Sequence, residues 1–281
     1  MALREQAIIA VVTIQATTMK ITDKFAGIEL TTQKKASKRA AKVVKNLIDP
    51  VHLKNIIAVQ TAFRTHVQKN TLPWIGNTFL LPKSRYHEFI NKVQELQDEL
   101  EKEVRRFTKQ YSTMVAEAHE NLGELFNGEN YPDVLELRDK FRIDVRFMPV
   151  PDISQFTELG LESESEDRLR AEALEMENEL LKQATEELYK RVHNRIEMLH
   201  NRLTDPDTKR YRESLLEGLQ FLVEAIPDLN VMDDPYLKTV MTSIKDMLTG
   251  FTIGDLRESQ DTRKEAADKC EEIMDKMSSM F

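Results

Sequence analysis

Two long runs of apolar residues at steps of three and four, uninterrupted by Gly or Pro, dominate what this chain can fold into. The first passes from Tyr86 through Phe89, Val93, Leu96, Leu100, Val104, Phe107, Tyr111 and Met114 to Ala118. This spacing predicts one amphipathic helix over residues 84–122. The second passes from Leu169 through Ala173, Met176, Leu180, Ala184, Leu188, Val192, Ile196 and Leu199 to Leu203, and predicts a helix over 165–203. Ser163 with Glu166 three residues later reads as its capping box. At about 1.5 Å per residue each helix is a rod of roughly 60 Å, longer than its own turns can stabilise without packing. Antiparallel pairing of the two rods is the economical way to bury both stripes. The expected fold class is therefore mainly α: a long, coiled-coil-like antiparallel hairpin with a small β-sheet insert and extra helices.

Composition agrees with that class. The 281 residues are 41% hydrophobic and 31% charged, with 8 Gly and 9 Pro, which excludes collagen-like, low-complexity and wholly disordered chains. Two segments read as strands: the Val- and Ile-rich run 7–14 (AIIAVVTI) and the alternating run 141–148 (FRIDVRFM). They are expected to be neighbours in one small sheet. Residues 34–48 read as a short basic helix stopped before Pro50, Asp49-Pro50 as the start of another helix reaching about Gln68, and 71–82 as an ordered loop or small hairpin. Towards the C-terminus, Asp205-Pro206 and Asp234-Pro235 read as helix starts, Pro227 and Gly250 as helix ends. A last helix over about 255–280 carries a narrow apolar line of Ala266, Cys270, Ile273, Met277 and Phe281. Of these, Cys270, Ile273, Met277 and Phe281 are the expected docking line for a partner helix. Three segments result: 1–83 with basic strand and helices, 84–204 with the hairpin and its insert at 128–160, and 205–281 with the C-terminal helices.

The net charge of −8 conceals a split. Residues 1–70 hold 12 Lys and Arg against 4 Asp and Glu, a net of +8, and the remainder carries −16. Lys34, Lys35, Lys38, Arg39, Lys42 and Lys45 are the candidate nucleic-acid contacts, since such a cluster neutralises phosphates without reading sequence. The competing expectation is that the basic head meets the acidic remainder of its own chain or of a second copy; a protein partner and a homo-oligomer are the favoured associations. One cysteine excludes an intramolecular disulfide and fits a reducing compartment. The run 7–14 is far short of the roughly 18 to 20 residues a membrane span needs and lacks a cleavage site after it. The expected location is the cytoplasm, with no membrane contact.

No catalytic motif in the sequence is complete. Residues 123–130 (GELFNGEN) have the glycine spacing of a phosphate-binding loop but place Glu129 where the lysine must stand, so they read as a helix end and turn. Glu197 with His200, and His193 on the same face, supply one half of a carboxylate di-iron pattern whose second half is missing, and they flank the apolar stripe as a solvated face would. Cys270 on an apolar line reads as a small buried hydrophobe, and Trp74 beside Pro73 as a plug for its loop. No enzyme activity, cofactor or metal is expected.

The run RTHVQKNTLPWIGNTFLLPKSRYHEFINKVQELQDEL, the helix bearing Phe107 and Tyr111, and the later DKFRIDVRFMPVPD resemble an uncharacterised family of phage and bacterial mobile-element proteins. The shared features are Leu81-Pro82 at the loop end, the F-x3-Y pair Phe107 and Tyr111, and Phe141 with Phe147 before Pro149, over about residues 60–155. These motifs are structural and carry no catalytic residue across. Genes of that family often neighbour a MoxR-type AAA ATPase and a von Willebrand A protein. The resemblance therefore implies a phage or mobile-element scaffold that binds a protein, possible partners being such an ATPase or a host defence factor.

Overall fold

The computed structural model describes residues 3–152, 163–206 and 210–278. The chain is mainly α-helical with a small antiparallel sheet, and it divides into two compact units. The first comprises residues 1–11, 68–87 and 147–281; the second comprises 12–67 and 88–146.

In the first unit, β1 (Ala7–Gln15) begins the sheet and pairs antiparallel with β5 (Thr78–Pro82), placing Ile9 opposite Leu80. β5 in turn pairs with the two-residue β4 (Leu72–Pro73), closing the hairpin expected over 71–82 around Gly76, whose φ of +59° is one that L side chains rarely adopt. β6 (Arg142–Pro149), whose residues 142–146 belong to the second unit, completes the strand order β4-β5-β1-β6, so the two strands anticipated from sequence are neighbours. Leu80, Leu81 and Ala10 are fully buried, which is why β1 and β5 read as continuous apolar runs instead of alternating ones.

The helical part of this unit holds α6 (Ser163–Thr204), α7 (Ser214–Leu229), α8 (Pro235–Thr249), α9 (Ile253–Glu258) and α10 (Gln260–Ser278). The stripe of α6 from Leu181 to Leu203 packs most extensively on α10 and next on α7, where pairing with the other long helix was expected. Val192, Ile196 and Leu199 of α6 and Cys270 and Met277 of α10 are at most 1% exposed. Burial of each large aliphatic side chain contributes about 1.5–3 kcal/mol. Gly218 of α7 lies under the Arg195 side chain of α6: a Cβ there would stand 2.9 Å from the guanidinium carbon, which would have to move aside.

Several C-terminal boundaries differ from expectation. The helix assigned to Asp205-Pro206 begins instead at Ser214, and Pro227 lies inside the last turn of α7, which continues to Leu229. The final helix is two, because Ser259 adopts an extended conformation (φ −112°, ψ 123°) that breaks α9 from α10. Asp234-Pro235 and Gly250 cap α8 as read. Phe281, the end of the apolar line, lies outside the described residues, as does the Ser163 side chain on which the expected capping box depends.

In the second unit, α3 (Lys54–Asn70) runs antiparallel to α4 (Tyr86–Leu122). Three contacts at successive heights fix that direction: His66 stacks on Phe89 (4.9 Å), Asn55 donates to Glu103 (2.9 Å), and His52 lies 3.6 Å from Glu117. All nine residues of the expected stripe from Phe89 to Ala118 are buried. Phe107 meets Phe141 edge-on at 5.7 Å, and Gln97 donates to the Ile143 carbonyl, so the start of β6 closes another side of the stripe. A short α5 (Val134–Asp139) precedes that strand, capped by Asp133.

Candidate interaction surface

The basic segment is not the helix expected over 34–48. The helix starts earlier, as α2 (Lys24–Gln33), because Asp23 accepts a hydrogen bond from the Ala26 N–H and caps it. It stops at Lys35, which takes φ +51° while Ala36 N–H reaches back to the Thr31 carbonyl at 2.8 Å, a Schellman ending. Such endings usually carry Gly or Asn, so a lysine there leaves no signal in the sequence. Residues 34–42 form an exposed turn, and the β-branched pair Val43-Val44 opens β3 (Val43–Asn46) instead of continuing a helix. β3 pairs antiparallel with β2 (Lys20–Asp23), Ile21 opposite Lys45 and Thr22 opposite Val44.

The six candidate cations then separate into five and one. Lys34, Lys35, Lys38, Arg39 and Lys42 are exposed on the turn. Lys45 is buried: its ammonium donates to Asp23 Oδ2 at 3.0 Å and to the Leu125 carbonyl at 2.8 Å, tying β3 to β2 and to the segment after α4. A lysine so held is a structural cation and leaves the nucleic-acid set. The hydrogen bond from Ala26, followed by that from Lys45, holds the Asp23 carboxyl below its usual range.

Beside this turn lies a feature that sequence reasoning passed over. Phe25 is 87% exposed, and Ile28, Leu30, Ile21 and Val44 are exposed with it. The buried side of α2 is narrow, consisting of Gly27 and Thr31, and it faces the start of β3 at Val43. The signal was present in Phe25-Ala26-Gly27-Ile28-Glu29-Leu30, whose apolar residues surround the helix instead of forming one stripe. A helix apolar on several sides is ordinarily covered on several sides.

The C-terminal docking line stands differently. Cys270, Ile273 and Met277 are buried among the packed helices of the first unit, so they already serve a partner helix within the chain, α6. That corrects the expectation that they face an outside protein, because side chains at 0–3% exposure offer nothing to one. Burial pushes the Cys270 thiol up to about 12, and its Sγ lies 3.7 Å from Met247 Sδ. Thiolate chemistry is closed to it at neutral pH.

A second exposed element is the first half of α6. No described residue between 164 and 180 is buried, and the stripe residues Met176 and its neighbour Leu174 are 57% and 46% exposed. α10 is 19 residues long against 42 for α6, so it covers only part of the longer helix. On α6, His193 and His200 are half-buried and Glu197 is exposed. Among the described residues no three His, Cys, Asp or Glu side chains form a metal-ligand group. An open cleft of about 460 Å3 in the second unit is lined by Glu101, Arg138, Asp139, Arg142 and Asp144 among others, a mixture of both signs that selects no one ligand charge. No helix among the described residues is long and apolar enough to cross a membrane.

The chain belongs to a protein family of unknown function, DUF3150, whose model matches residues 9–249. No curated protein and no solved structure matches it.

Proposed function

We propose that this chain is a non-enzymatic helical scaffold or adaptor of phage or mobile-element origin, and that it holds a protein partner on the basic, apolar surface of α2 and β3. The observation that carries this reading is Phe25, a large aromatic 87% exposed on α2 with Ile28, on the helix that a turn of five exposed cations joins to β3. An apolar group rimmed by charge is the usual make-up of a protein-binding patch, whose aromatic anchor contributes most of the binding energy. The polar side chains support the same reading, since many act on the fold itself: Asp23, Asp49, Asp133, Asp234 and Thr252 cap helices. The partner classes that the family resemblance implies are an AAA ATPase and a host defence factor. The test is affinity purification from the producing cell with the wild-type chain and a Phe25→Ser variant. A protein that co-purifies only with the wild type is the expected result, and identical co-purifying sets together with an unchanged oligomeric mass would overturn the reading.

A second reading, an accessory protein that binds nucleic acid, is favoured by the exposure of Lys34, Lys35, Lys38, Arg39 and Lys42 on one turn. It makes a different demand: duplex DNA affinity should fall with salt at a log–log slope of about −0.9 per phosphate contacted, and should not depend on Phe25.

A further inference from the structure

We infer that the occupant of the α2–β3 surface is the exposed N-terminal half of α6 from a second copy of this chain. The inference rests on the adaptor reading above and names the partner of that same surface.

Three observations lead to it. The first is charge. Residues 20–45 carry Lys20, Lys24, Lys34, Lys35, Lys38, Arg39, Lys42 and Lys45 against Asp23 and Glu29, whereas 163–180 carry seven Asp and Glu against Arg168 and Arg170. The two elements are of opposite sign, and α6 arms paired with each other would place like charge on like charge. The second is shape and polarity on the α6 side. Leu169, Ala173, Met176 and Leu180 recur at steps of four, three and four, the spacing of a seam for one further helix, and Glu172, Glu177 and Glu179 flank it. The third is the receiving surface, where Phe25 and Ile28 lie one helical turn apart on α2, both exposed and off the Gly27–Thr31 side that meets β3. The turn 34–42 that joins α2 to β3 carries the five exposed cations, and among the described residues none of these has an ion-pair partner.

An acidic helix with a narrow apolar seam is therefore what this surface fits: Met176 against Phe25, with glutamates towards the lysines. The two contacting surfaces are different parts of the chain. Association is consequently either reciprocal, giving a two-fold dimer with two equal contacts, or propagating, giving a ring or filament.

Light scattering of the whole chain tests this with two variants. The first reverses the surface (Lys34→Glu, Lys35→Glu, Lys38→Glu, Arg39→Glu), and the second reverses the arm (Glu172→Lys, Glu177→Lys, Glu179→Lys). The wild type should be a dimer or larger at low salt and dissociate as salt rises. Each variant alone should be monomeric with an unchanged melting temperature. Mixed in equal amounts they should form a heterodimer, because the intact arm of the first meets the intact surface of the second. Phe25→Ser should lower association at least tenfold at any salt. A monomeric wild type, including one whose arm folds onto its own surface, overturns the inference, as does a mass indifferent to both reversals. If the wild type is monomeric and Phe25→Ser still loses a co-purifying protein, only the choice of partner has failed. If Phe25→Ser changes neither mass nor co-purification, the adaptor reading fails with it.

Discussion

The Tyr189 hydroxyl donates to Asp234 Oδ2 at 2.7 Å, while Asp234 Oδ1 accepts from the backbone N–H groups of Tyr236 and Leu237 at 2.8 and 3.3 Å. One carboxylate therefore both starts α8 and ties it to the middle of α6. Burial, reinforced by the bond to Asp234, pushes the Tyr189 phenol well above its ordinary value. The phenol stays protonated and remains a donor throughout the neutral range.

Removing that carboxylate removes two functions at once. Asp234→Ala should cost about 2–4 kcal/mol in urea denaturation, combining a lost cap with a lost charge-assisted hydrogen bond. Tyr189→Phe should cost less, about 1–2 kcal/mol, since it leaves the cap intact. Equal losses in the two variants would show that the cap contributes nothing.

Tyr111 presents the opposite case. Its hydroxyl is buried on the α4 stripe and is without a hydrogen-bond partner among the described residues, and burial raises its pKa to about 12. A desolvated hydroxyl without an acceptor opposes folding, so Tyr111→Phe should be neutral or stabilising by up to about 1 kcal/mol at pH 7. The folded pKa lies above the unfolded value of 10.0, so the unfolded chain releases its proton first as the solution becomes alkaline. Stability from this group is complete below pH 10 and declines as pH rises towards 12. Thermal melts between pH 9 and 11 should show a shallower alkaline decline in Tyr111→Phe than in the wild type; parallel curves would contradict the assignment.

The two halves of α6 should respond oppositely to charge. Leu188 is 2% exposed, and Leu188→Asp should cost several kcal/mol, because an unpaired carboxylate would be buried among α6, α7 and α10. Leu100→Asp should act likewise on the α4 stripe of the second unit. Leu174→Asp, on the exposed half, should leave stability within about 0.5 kcal/mol. Similar losses at 174 and 188 would show that the arm is packed in the folded monomer.

Periodicity made α4 legible throughout, because its stripe is single, unbroken and buried along its whole length. It made α6 legible as a helix but not in its packing, since the 3.6-residue pattern continues unchanged from the exposed half into the buried half. What separates the halves is the length of α10, a tertiary fact with no local signature. The strand pair and the Asp234-Pro235 cap were readable because pleat alternation and capping act over a few residues. The basic segment was misread for a related reason: its apparent helix depended on residues that tolerate helix, while Asp23 upstream and a left-handed Lys35 set the actual boundaries. The exposed Phe25 was missed because a helix without a single apolar face offers no stripe to follow.

Cys270 gives a direct test of how α10 is used. It is fully buried, and desolvation holds its thiol at about 12, far above the pH of ordinary labelling. The raised folded value means that the protonated thiol suits the folded state and that any stability linked to it is lost only on the alkaline side, as pH climbs past the unfolded value of 9.0. At pH 8 a disulfide-exchange reagent therefore meets no thiolate unless α10 opens from α6. Labelling should proceed at a rate set by that opening, orders of magnitude slower than for an unfolded control, and should accelerate in urea together with unfolding. Leu199→Ala, which removes apolar contact from the facing helix at a cost of about 2–5 kcal/mol, should accelerate it without denaturant. Reaction at the unfolded rate in the native protein would mean that α10 stands free, restoring Cys270, Ile273 and Met277 as a face for another protein.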